Sequence, residues 1–406
     1  MKSVYTVVAL GGQITQISRR NKTDKKIEVY SVTNSEGFTR SVDYFCKEVF
    51  SKDTSNYKVV HKDEFAYNPS RINVGSIDYL SNADKALVSP LYIVFAPKKT
   101  LHPEYLLRFL KSDWGNIQIR SHTEGAVRDS LKFKGLEAIT IPLPPLGDQI
   151  LIATLLSKVE NLISRRRKQL KQLDELIKSI FLEMFCIKNG NVKKWIIEPL
   201  STCTEIVSGV TKGKKYNGNK LRDVSYMRVA NVKDGYLNLS EIKTIEVTEA
   251  EIHKYKLISG DLLLTEGGDP DKLGRGAVWN CEIDECIHQN HIFRVRAIGK
   301  SVNPVFLSAL MASKYGKSYF LKAAKQTTGI ASINSTQLKA FPLIKPPIDL
   351  QNRFAAIVTK IESLKAHYIK SFSNLEALYG TLRKKTFKGE LDLSRVFIAE
   401  ENGSVI

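Results

Sequence analysis

The densest set of metal-binding residue types in this sequence is "CEIDECIHQNH", which gathers Cys281, Cys286, His288 and His291. Zinc sites favour close Cys or His pairs separated by a longer loop. Cys-x4-Cys-x-His-x2-His lacks that spacing and runs straight into the strand-like "IFRVRA", so the segment reads as a packed strand with ordinary thiols and no metal. "GRGAVW" (274–279) has neither a third glycine at dinucleotide-fingerprint spacing nor a P-loop lysine, and reads as a turn between strands rather than a cofactor cradle. "GGDP" followed by Asp271 could open a nuclease carboxylate pair, yet no acidic residue with a lysine two places on follows. An amino-methylating DNA methyltransferase holds its flipped base with a short polar residue, two prolines and an aromatic. The two Pro-Pro pairs are Leu143-Pro144-Pro145-Leu146 and Lys345-Pro346-Pro347-Ile348, and neither qualifies. No catalytic residue and no cofactor is expected.

Binding chemistry is better represented. Lys and Arg exceed Asp and Glu by 61 to 42, a formal charge of +19, which points to a polyanionic partner, with nucleic acid ahead of membrane. Phosphates would be met by Lys and Arg, and base edges by Arg, Lys, Asn and Gln reaching out of loops. In the second half the candidates are "TKGKKYNGNK", with Lys212, Lys214, Lys215, Tyr216 and Asn217, and "GGDPDKLGRG", with Lys272 and Arg275. In the first half they are "SRRNKTDKK", with Arg19, Arg20 and Lys22, and "YNPSR", with Tyr67, Asn68 and Arg71. The competing reading of each lysine is a solvated loop, and that of Asn68 a turn residue before proline.

Long helices must carry these loops. "IATLLSKVENLI" (152–163) and "FAAIVTKIESLK" (354–365) are near copies in one register: Pro144, Pro145 and Gln149 match Pro346, Pro347 and Gln351. Steps of four and three give a heptad core of Ile152, Leu156, Val159, Ile163, Leu170, Leu173 and Ile177 in the first copy. The second gives Phe354, Val358, Ile361, Tyr368, Phe372, Leu375 and Tyr379. Arg166 and Lys365 also fall on core positions, where polar residues fix register, while Arg165, Arg167 and Lys168 could meet phosphates or a partner subunit.

The copy extends upstream. "TEGAVRDS" with "IPLPP" answers "TTGIASIN" with "FPLIKPP", and "NYKVVHKDEFAY" answers "KYKLISGDLLLT", aligning Asp63 with Asp261. The chain is therefore a tandem duplication of a domain followed by a helix: domain 1–144, helix 145–187, domain 188–345, helix 346–391 and tail 392–406, with "KNGNVKK" (188–194) as hinge. "KIEVYSVT", "SPLYIVFAP", "VSYMRVANV" and "HIFRVRAI" read as strands, and the regions near 103–112 and 304–315 as amphipathic helices. The expected class is α+β: two strand-rich mixed domains separated by an antiparallel two-helix coiled coil, the halves related by a pseudo-twofold. The short hinge leaves no return linker for a parallel pair. Five scattered cysteines and the lack of a signal peptide or a membrane-length apolar run suggest a cytoplasmic protein.

With "VANVKDGYLNLS", "YKLISGDLLLT", "GRGAVW", "NHIFRVR" and "PPL..QILIATLLSKVENLI", the chain resembles the specificity (S) subunits of type I DNA restriction-modification systems. The resemblance implies that each domain is a target recognition domain reading one half of a bipartite double-stranded DNA site. It implies that the helices set the spacing and dock two methyltransferase (M) subunits, with restriction (R) subunits as further partners. Two other readings stand beside it. A fused restriction or modification enzyme would need the catalytic motifs that are missing. A basic coiled-coil scaffold would have no reason to keep unlike loops on a duplicated frame.

Overall fold

The computed structural model describes residues 5–22, 27–34, 36–45, 51, 53–124, 130–185, 195–216, 220–269, 273–327 and 330–393. The chain divides into two compact units, one formed by 1–167 with 371–406 and the other by 168–370.

Each unit is built on the same antiparallel four-stranded sheet. In the first the order is Ile14–Ile17, Ile93–Pro97, Phe65–Tyr67, Ile77–Tyr79; in the second it is Thr204–Ser208, Ile292–Ala297, Leu262–Thr265, Gly276–Val278. Phe65, Ala66 and Tyr67 are all buried, as are Leu262, Leu263 and Leu264, so the inner strands are covered on both faces and read as apolar runs. Register fixes the correspondence: Phe65 lies opposite Phe95, and Leu262 opposite Val295. Asp261, one residue before Leu262, therefore answers Glu64 and not Asp63. The carboxylate of Asp261 accepts the Ile258 N–H at 2.8 Å, and that of Glu64 accepts the His61 N–H at 2.8 Å. Asp63 sits in the turn with φ of 66°.

Three helices follow the sheet in each unit: Pro103–Leu110, Asp113–Ser121 and Phe133–Ala138, then Pro304–Ala312, Lys314–Ala323 and Ser335–Lys339. The first of each set was legible in the sequence. The second is started by a serine cap, Ser112 accepting the Gly115 N–H at 3.1 Å and Ser313 the Gly316 N–H at 3.3 Å. Both glycines are required by space. A Cβ on Gly115 would lie 2.1 Å from the Phe109 carbonyl oxygen, and one on Gly316 2.3 Å from that of Met311. Gly115→Ala and Gly316→Ala are each expected to cost about 1–3 kcal/mol through overpacking, read as a lowered urea midpoint.

The long helices span Leu146–Phe185 and Ile348–Lys388. Each is tied to its own unit by a fully buried glutamine. The Gln149 amide donates to the Pro144 carbonyl at 2.9 Å and its oxygen accepts the His102 N–H at 2.8 Å. Gln351 donates to the Pro346 carbonyl at 2.8 Å and accepts the Asn303 N–H at 2.9 Å. In the first unit Ile152 and Leu156, near the start of the first long helix, share a core with Phe387 from the end of the second. In the second unit Phe181 and Phe185 close on Phe354, with ring centroids 5.6 and 5.5 Å apart. Within each unit, then, the start of one helix meets the end of the other, which makes the pair antiparallel. Every core position expected from the heptads is buried or half-buried, including Val159, Ile163, Leu170, Leu173, Ile177, Val358, Ile361, Tyr368, Phe372, Leu375 and Tyr379. Lys365 bonds Asp174 at 2.7 Å and Glu362 at 2.8 Å, satisfying a cation on the seam. Leu391 and Leu393 pack on the first unit's core, so the chain after 391 begins as a docked segment; residues 394–406 and the hinge 188–194 lie outside the described residues.

Candidate nucleic-acid interface

Arg19 and Arg20 leave the sheet just after Ile17 and run beside the strand Lys58–His61. The Arg19 guanidinium is ion-paired with Glu64, whose burial makes that bond structural and leaves Arg19 partly neutralised. Arg20 is exposed and held at 2.9 Å by the neutral side-chain oxygen of Asn56. Lys22 is exposed in a left-handed turn, φ 53°.

Tyr67 is a correction. It has no exposed surface, its hydroxyl donates to the Leu131 carbonyl at 3.1 Å, and its ring meets Phe95 edge-on, so it cannot touch DNA. The loop assignment failed because Tyr67 ends the strand Phe65–Tyr67, which is covered on both faces. Asn68 forms the turn expected of its competing reading, its side-chain oxygen accepting the Ser70 N–H at 3.1 Å. Arg71 is exposed in the same loop. That loop answers "GGDPDKLGRG" in position. Asn68 donates to Ser76 as Thr265 donates to Arg275, and Leu131 bonds Pro69 as Ile333 bonds Glu266.

In the second unit Lys212, Lys214 and Lys215 are exposed. Lys214 Nζ lies 2.7 Å from Glu251 and 5.1 Å from the centre of the Tyr216 ring. Burial and the Glu251 carboxylate push the Tyr216 phenol up to about 12. Glu251 also closes a capping box with Thr248 at the start of helix Glu249–Tyr255, so the helix orders the loop through one carboxylate. Sequence reading missed Glu251, although "TEAE" carries the capping-box signal. Arg275 is half-buried; Asn217 and Lys272 lie outside the described residues.

The four metal-type residues are divided. Cys286 and His288 are buried on a strand running parallel to Leu221–Met227, burial pushing the thiol up to about 12 and the imidazole down to about 3. Cys281 is exposed, and exposed His291 pairs with Glu266 at 2.6 Å. Among the described residues no group of three or more His, Cys, Asp or Glu side chains is placed to hold a metal ion, and no helix is long and apolar enough to cross a membrane.

On the helices of the first unit, Arg167 lies over the Phe372 ring at 5.5 Å and 3.9 Å from Glu376. Arg167 and Glu376 border an open groove lined also by Glu160, Tyr379 and Arg383.

Residues 7–174 match the model of the type I restriction modification DNA specificity domain. The chain is 24% identical to the StySPI specificity subunit of Salmonella potsdam over 73% of this chain and 67% of that one. It is 24% identical to the EcoKI specificity subunit of Escherichia coli K12 over 73% and 68%. To the MjaVIII specificity subunit of Methanocaldococcus jannaschii it is 26% identical over 80% and 76%. Among solved structures, the type I S subunit of M. genitalium aligns with a TM-score of 0.57 at 12% identity, covering 95% of this chain and 96% of that one. A chain from a structure of type I restriction-modification complex assembly and conformational transition aligns at 0.54 and 18%, covering 95% and 98%. These last two likenesses bear on the fold. The repeated sheet, the paired long helices and the matched domain agree in one likeness: residues 7–174 match the type I DNA specificity domain, and the chain is similar along most of its length to the specificity subunits of type I restriction-modification systems.

Proposed function

We propose that each unit reads one half of a bipartite DNA site, that the two long helices set the spacing between the half-sites, and that the chain recruits two methyltransferase subunits without catalysing a reaction itself. The observation that carries this reading is a repeated four-stranded sheet bearing unlike loops. Where the first unit has Asn68–Ser76, the second has the longer Thr265–Arg275, and where the second carries Lys212-Gly213-Lys214-Lys215 the first carries the different basic sequence Lys22-Thr23-Asp24-Lys25. A frame kept constant with its loops varied suits two readers of different sequences, and the +19 charge suits DNA phosphates. Arg20, Lys22, Arg71, Lys212 and Lys215 are the exposed candidates for contact that, unlike Arg19 and Lys214, are not ion-paired among the described residues. The helix groove beside Arg167 and Glu376 is the candidate face for a methyltransferase subunit.

Replacing residues 1–144 with the corresponding segment of another specificity subunit is expected to change one half of the methylated site and leave the other half unchanged. Mapping methylated bases in host DNA reads this directly. Changes in both halves would refute independent reading.

A further inference from the structure

Arg20 and Lys58 stand directly opposite each other on antiparallel backbone. The Asn21 N–H donates to the Tyr57 carbonyl at 2.9 Å and the Val59 N–H to the Arg19 carbonyl at 2.9 Å, which makes Arg20 and Lys58 a non-hydrogen-bonded pair. Side chains approach most closely at such pairs, and like charges there are destabilising. Among the described residues no carboxylate lies within 4 Å of either cation; Arg20 is held by the neutral Asn56, and Lys58 Nζ donates to the Tyr92 carbonyl at 2.5 Å. Half-burial and the neighbouring Arg20 lower the affinity of Lys58 for its proton. The same tyrosine ties this pair to the next loop. Its hydroxyl accepts the Val32 N–H at 3.4 Å, while the Val32 carbonyl accepts from the Ser76 hydroxyl at 2.6 Å, at the end of the loop that carries Arg71.

We propose that Arg20 and Lys58 form a phosphate cradle beside Tyr92, occupied by a backbone phosphate of the DNA half-site that the first unit reads. The proposal rests on the DNA-reading function and adds Lys58, which no loop signal in the sequence marked. The monoanionic phosphodiester supplies the negative charge that the fold leaves out, so a pair unfavourable in the free protein becomes favourable in the complex. Among the described residues the second unit shows no such pair: Val210, bridged to Gln289, occupies the place of Arg20.

The test compares the full chain with Lys58→Met, which keeps the stem and removes the charge, and with Lys62→Met, an exposed lysine facing no opposed cation. Binding to a short random-sequence duplex is measured across a salt series. Lys58→Met is expected to reduce the slope of log K against log salt by about 0.9, the loss of one phosphate contact, more than Lys62→Met does. Its melting temperature in chloride is expected to hold or rise, because a like-charge opposition is relieved. Inorganic phosphate at matched ionic strength is expected to raise the melting temperature of the unaltered chain more than that of Lys58→Met. Should Lys58→Met fail to fold, Arg20→Gln on the exposed side of the pair serves the same comparisons. An unaltered chain that binds no DNA but shows the phosphate effect would refute the DNA occupant and retain the anion cradle. An unchanged salt slope together with no difference in the phosphate effect overturns the proposal.

Discussion

Arg108→Met is expected to destabilise the first unit by about 3 kcal/mol, the low end of the range for stripping one partner from a buried ion pair. The Arg108 side chain is 9% exposed and bonds Glu104 at 2.7 Å, Glu160 at 2.8 Å and the Ser157 hydroxyl at 2.8 Å. Glu104 in turn accepts from the Tyr79 hydroxyl at 2.7 Å, and Tyr379 donates to Glu160. One guanidinium thus joins a sheet strand, the helix Pro103–Leu110 and both long helices. Removing it leaves Glu104 largely enclosed without its cation, whereas Glu160, 45% exposed, recovers part of its solvation, which is why the low end applies. Urea unfolding measures the loss. The corresponding places in the second unit are Val305 and Ala309, packed on an apolar core. Replacing Glu104, Arg108 and Glu160 together by apolar residues is therefore expected to restore much of the stability that the single change removes. A single change without effect would show that the network is idle.

The largest loss is expected for Asp261→Ala, about 4 kcal/mol. Asp261 is fully buried; its two oxygens bond Arg296 at 2.7 and 2.8 Å, and one also accepts the Ile258 N–H. Arg294, with a nearly enclosed side chain, lies beside Arg296 and has its proton affinity lowered by burial and by that neighbour. Without Asp261 two adjacent guanidinium groups would face each other with only Glu205, which is half-exposed, to balance them. Adding Arg296→Met to Asp261→Ala is expected to return part of the loss, because both ends of the interaction are then gone. Thermal melts of the single and double variants decide this; a double variant worse than the single would show that Arg296 is needed elsewhere.

The parts legible in the sequence were those written as a period. The heptad places Ile152 through Tyr379 on a seam because an inward residue recurs every three or four positions whatever the partner helix is. The match of Gln149 with Gln351 was visible as letters, and its physical content, an amide locking the first turn of each helix to its own domain, emerged only with backbone partners assigned. The helices Asp113–Ser121 and Lys314–Ala323 were not legible, since each carries a glycine in its first turn and depends on a serine cap and a close backbone approach. Tyr67 was misplaced because an aromatic beside Asn-Pro looks like a loop, and only the pairing of Phe65–Tyr67 with strands on both sides shows it as core. Lys58 went unseen because it works through Arg20, distant in sequence; the capping box of Glu251 was written locally, but its bond to the distant Lys214 was not.

The division of the chain into units has a consequence for synthesis. The second unit is one unbroken segment, 168–370, whereas the first is assembled from 1–167 and 371–406. Phe387 is buried against Tyr105 and Phe109 in the first unit's core, so that core is unfinished until the last part of the chain has left the ribosome. Domains ordinarily mature in the order in which they are made. Here the half translated first is completed last, and throughout translation of the second half it presents the vacant seat of Phe387 to chaperones and to other nascent copies of the same polypeptide.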